Sequence, residues 1–180
     1  MHNILVKAVS ALLLIWICGA AHAAALPLHP KLEVFRPYLD TYWQGDLTQP
    51  GKTEKTIDRS HWSRALNGMA IKTVHSINDG VYGGESMIFW DETKQSLAYY
   101  YFTTAGFYTH GTMEFDNTNN RILARETVEN NANGITEVQS SSELNGDELK
   151  VSSRYLQNGH WVDGHSANYQ RTAAMPIKFN

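Results

Sequence analysis

From residue 50 onward, turn signals at nearly regular spacing cut the chain into short β-prone runs. Asn78-Asp79-Gly80, Asp91-Glu92-Thr93-Lys94, Asp116-Asn117-Thr118-Asn119-Asn120, Asn131-Ala132-Asn133-Gly134, Asn145-Gly146-Asp147 and Gln157-Asn158-Gly159 each separate two such runs. Short strands between Asn/Asp/Gly turns leave no length for long helices and mark an all-β meander, sandwich or barrel. The fold expected is a single up-and-down antiparallel barrel of about ten strands. The strands are expected near 42–47, 54–66, 69–77, 82–90, 96–104, 106–115, 121–130, 135–144, 148–157 and 160–171. Lys31 to Thr41 predicts a short helical turn limited by Pro37. Met175 to Asn180 reads as a loose tail or a cover for the rim. A closed barrel of this size often encloses a ligand cavity, so the rhythm points to small-molecule binding without naming the molecule.

The chain opens with the pattern of an export signal. Lys7 supplies a positive charge, Ala8 to Ala21 form an apolar run, and Ala21-His22-Ala23 fits a small-x-small cleavage site. The run is shorter than the ~20 residues that span a bilayer, which favours a cleaved signal over an anchor. Residues 1–23 are therefore read as a signal peptide and 24–180 as one exported domain, periplasmic or secreted and without stable membrane insertion. Ile17 before Cys18 is not the small residue that a lipidated cysteine requires. Cleavage removes Lys7 and leaves 14 basic against 18 acidic side chains, a net charge of −4. That balance argues against a general nucleic-acid binder, which needs a basic face. Cleavage also removes Cys18, the one cysteine, so no disulfide, thiolate metal site or cysteine nucleophile remains.

Alternation along 161–171 assigns faces. Side chains two apart share one face of a strand, so Trp161, His165, Tyr169 and Arg171 are expected to point the same way, into the barrel. His and Arg among aromatics make this face too polar for a sealed core and suit a lumen holding water or ligand. Six residues separate His165 from Arg171, about 20 Å of strand, which places them towards opposite ends.

Leu39-Asp40-Thr41-Tyr42-Trp43-Gln44-Gly45-Asp46 resembles the Gly-Thr-Trp-x-Gly opening of lipocalin-like and nitrobindin-like barrels, with Asp40 in place of the glycine and Tyr42 added. Asn168-Tyr169-Gln170-Arg171 is similar to their closing strand. Trp62 to Met69 and Gly83 to Asp91 look like the body of exported bacterial calycin domains of unknown function. The resemblance covers about residues 40–171 and implies that Arg171 packs over Trp43, a cation–π contact closing the last strand on the first. It also implies one sharp alternative. In nitrobindin-like barrels a histidine on the last strand ligates haem iron, and His165 stands in a similar place.

No cofactor is otherwise expected, and no protein metal site, because no histidine pair has a metal-binding helical spacing. The central strands are rich in aromatics. Tyr99 and Tyr101 share one face, Tyr100 and Phe102 the other. The expected lumen wall is His165, Trp161 and Tyr169, facing some of Tyr99, Tyr101, Phe107 and His75. An apolar wall with a few polar tips suits a small apolar or aromatic ligand. Two other readings stay open: an envelope interaction module with no ligand, and a barrel enzyme if Glu85, His75, His110 and Asp163 meet for acid–base chemistry. No nucleophile elbow or phosphate-binding glycine loop supports the latter. Oligomeric state is not legible from the chain.

Overall fold

The computed structural model describes residues 26–49 and 51–180. The expected signal peptide lies outside the described residues. A short 3₁₀ helix, Pro30–Tyr38, leads into β1 Thr41–Asp46, β2 Ile57–Ala65, β3 Ala70–Ile77, β4 Tyr82–Asp91 and β5 Ser96–Thr103. There follow β6 Tyr108–Asp116, β7 Arg121–Glu129, β8 Ile135–Asn145, β9 Glu148–Gln157 and β10 His160–Thr172. A second 3₁₀ turn, Leu66–Gly68, joins β2 to β3. Each strand is antiparallel to its sequence neighbours, and β1 pairs with β10, so the ten strands close into one barrel.

The turns hold the chain in left-handed conformations that Asn, Asp and Gly tolerate. Asn158 and Gly159 have φ of 50° and 81° between the paired Gln157 and His160, the mirror-image turn that matches strand twist. Closure pairs Tyr42 to Gly45 with Tyr169 to Thr172, so no whole strand is left at an edge.

The helix is wound with three residues per turn, which stacks Leu32, Phe35 and Tyr38 on one face. All three are fully buried. Phe35 and Tyr38 pack on Trp62, with ring centroids 6.1 and 5.2 Å away. The helix therefore caps the barrel end rimmed by the β2–β3, β4–β5, β6–β7 and β8–β9 hairpins. Trp43 is fully buried at this end. It pairs in register with Arg171, whose guanidinium lies 4.8 Å from the indole centroid. Arg171 also donates to the Pro37 carbonyl at 3.3 Å and places Nε 2.8 Å from Asp147 Oδ1, an ion pair without hydrogen-bond alignment. One cation thus ties the last strand to the first strand, the helix and the β8–β9 turn. The C-terminal segment lies against the β3–β4 hairpin, with Phe179 over Gly83 and Asn180 over Gly80.

Candidate functional site

The inner face encloses a cavity of about 550 Å³. Towards the helix-capped end its wall is mainly apolar, with Trp62, Ile88, Met113, Ile122 and Val151 beside Ser142. Towards the opposite end, the mouth, it carries Asp58, His75, Tyr101, Ser153, Tyr155 and His165.

A continuous chain of hydrogen bonds runs round the mouth. Tyr169 donates its hydroxyl to Asp58 Oδ2 at 2.7 Å. Asp58 Oδ1 lies 2.9 Å from His75 Nδ1, and His75 Nε2 lies 2.7 Å from the Tyr101 hydroxyl. Tyr101 and Tyr82 hydroxyls are 2.9 Å apart. Asp58 is buried, and both its oxygens are engaged, which is the condition for keeping a carboxylate out of water. Burial pushes the phenols of Tyr101, Tyr169 and Tyr82 above the ordinary tyrosine value, so they remain neutral hydroxyls.

Glycine makes this reach possible. Gly45 stands between Tyr169 and Asp58 in the β10–β1–β2 register, and a Cβ there would lie 2.8 Å from the Tyr169 ring. The ring crosses β1 over the gap. Gly84 likewise leaves room for the Tyr101 ring, which a Cβ would meet at 2.4 Å, on its way to His75.

His165 sits at a register shift. Between Asp163 and Ser166, β10 has one residue more than β9 opposite. This β-bulge turns the His165 ring towards Tyr155, whose hydroxyl lies 2.7 Å from Nδ1, with Ser153 Oγ at 3.1 Å. The imidazole is accessible to water through the mouth yet crowded by protein. Burial lowers its pKa; Asp58 opposes that shift and His75 adds to it. Among the described residues, Nε2 makes no hydrogen bond.

On the facing wall, Glu126 accepts from Thr109 through Oε2, while Oε1 has no hydrogen-bond partner among the described residues. Tyr99 pairs in register with Gly111, and Gly111 with Glu126. The Tyr99 hydroxyl is buried beside the carboxyl without hydrogen-bond geometry. Burial raises the Glu126 pKa against the opposing Thr109 and Tyr99 hydroxyls.

The lumen holds His165, Tyr169, Tyr99, Tyr101, Phe107 and His75. It does not hold Trp161. The bulge shifts the alternation, so Trp161 lies on the outer face with its ring 5.4 Å from the Arg154 guanidinium. Trp43 and Arg171 form the seam. The four candidate acid–base groups do not meet. Glu85 pairs with Lys72 at 2.8 Å on the outer face, His110 lies outside between Tyr100 and Tyr108, and Asp163 is exposed. Asp58, Glu126, Tyr82, Tyr155 and Ser153 are lumen residues that alternation does not single out, because inward polar groups break the apolar-in pattern.

No family model matches the chain, and no curated protein matches it. Among solved structures, the crystal structure of Rv2717c from M. tuberculosis is similar, with a TM-score of 0.64 and 15% identity. The match covers 82% of this chain and 100% of that one. At this identity the likeness shows the barrel fold.

Proposed function

We propose that the chain is an exported, nitrobindin- or lipocalin-like barrel that binds a small molecule with an apolar, partly aromatic body in its lumen. The graded cavity of about 550 Å³ is the observation that carries this reading. A mostly apolar wall whose Asp58, His75 and His165 lie towards one end orients a ligand as well as holding it. Trp62 lines the floor and offers an intrinsic probe. Native mass spectrometry of the protein from its own host is expected to show a retained small mass, and apolar aromatic probes are expected to quench Trp62 emission. No retained mass, and no probe response that differs from Trp62→Phe, would end this reading and leave an interaction module. Export carries its own check, a mature N-terminus at Ala24.

One observation favours haem as a second reading. Tyr155 and Ser153 engage His165 Nδ1, leaving Nε2 as the nitrogen for an axial ligand. Bound haem would supply iron for electron transfer or for binding small diatomic molecules. A Soret band in the host-purified protein, lost in His165→Ala, decides between the two.

A further inference from the structure

The lumen carries two carboxyls, Asp58 and Glu126, two histidines and no permanently cationic side chain, Lys or Arg, among the described residues. The two carboxyls differ in what they have left to offer. Asp58 has both oxygens engaged by Tyr169 and His75. Glu126 is engaged by Thr109 through one oxygen and otherwise has only the misaligned Tyr99 hydroxyl beside it, a neutral donor. Tyr99, Tyr101, Phe107 and Trp62 present ring surface to the same space.

We infer that this lumen selects ligands bearing an ammonium group on an aromatic or short apolar body, with Glu126 as the counter-ion. The inference rests on the lumen-binding reading above and narrows its ligand class. An ammonium supplies Glu126 with a charged donor where Thr109 and Tyr99 offer only neutral hydroxyls, and aromatic faces attract a cation through their quadrupole. A carboxylate ligand would meet two carboxyls and no Lys or Arg among the described residues, which disfavours it in a low-dielectric site. The raised pKa of Glu126 is the mark of a carboxyl buried without a cation, and an ammonium beside it reverses the cause.

The groups around Glu126 define the pH behaviour. Tyr99 on β5 and Thr109 on β6 flank it, and β8 brings Val138 opposite in register and Ser140. Asp58, His75, Tyr82 and His165 line the remaining wall. The ammonium form is bound by the ionised carboxyl, so affinity for it rises with pH as Glu126 loses its proton, while affinity for a neutral ligand stays flat. Histidine protonation would bend the profile the same way, and Glu126→Gln separates the two causes.

Three matched probes test this by Trp62 quenching: phenethylamine, phenethyl alcohol and hydrocinnamate, which are cationic, neutral and anionic on the same ring. Wild type is expected to bind the amine about tenfold or more tightly than the alcohol, as a charge-assisted hydrogen bond contributes, and hydrocinnamate least. Glu126→Gln is expected to bring the amine down to the alcohol and leave the alcohol unchanged. Should that variant not fold, the rise of amine affinity with pH in wild type, absent for the alcohol, carries the test. Equal binding of amine and alcohol would overturn the ammonium inference and leave the lumen-binding reading standing. No binding of any probe would overturn both.

Discussion

The two ends of the barrel are built from the same alternating strands and put them to opposite uses. At the capped end, Leu32, Phe35, Tyr38 and Trp43 are sealed from water, and Arg171 holds the closure of the last strand on the first. At the mouth, inward positions go to Asp58, His75, Tyr101, Ser153 and His165, which pack poorly as hydrocarbon but bond to one another. Stability is concentrated where side chains interdigitate, and the recognition proposed above where polar groups converge. The contrast teaches that a barrel of this size need not average the two demands. It segregates them along its axis.

Substitutions at the two ends should therefore separate stability from binding. The largest effect is expected at the capped end, where Trp43→Ala should cost ~3–5 kcal/mol by denaturant unfolding, through lost packing and a cavity. A wild-type midpoint for that variant would break the contrast. Next comes the mouth network. Tyr169→Phe leaves Asp58 Oδ2 without its donor and should cost ~1–3 kcal/mol while changing probe affinity. Gly45→Ala should approach it, since the new methyl displaces the same ring.

A smaller, pH-dependent effect belongs to His165. Its folded pKa lies below the ordinary value of 6.5, so the unfolded chain takes up the proton more readily. Its contribution is fully present above that pH and is lost as the pH falls through the lowered folded value. Thermal melting across mildly acidic pH should show this slope, flattened in His165→Gln. The smallest effect is expected outside the lumen. Trp161→Ala should cost ~0.5–1 kcal/mol, its stacking on Arg154, and leave probe binding untouched. A loss of binding there would place Trp161 back in the lumen.

The fold was legible because turn chemistry is local. Asn158-Gly159 dictates a tight mirror-image hairpin whatever surrounds it, and the strand bounds around it follow. The lumen was legible from parity wherever parity holds, as for Tyr99 and Tyr101 on one face and His165 and Tyr169 on another. It failed at Trp161 because a bulge inserts one residue into the alternation, and Gly164 is its only trace in the chain. The Asp58 network was hidden for a different reason. Its partners meet through register across strands, and nothing in the chain marks Gly45 and Gly84 as the gaps that tyrosine rings cross.

The bond from Tyr169 to Asp58 joins residues 111 apart in the chain. It cannot form while the polypeptide is emerging, and no fragment lacking either end can make it. Until β10 docks on β1, both strands expose unsatisfied backbone edges of the kind that aggregate. The binding proposed at the mouth would therefore report that synthesis and closure are complete. A truncated or stalled chain would be silent in a binding assay even with most of its strands paired.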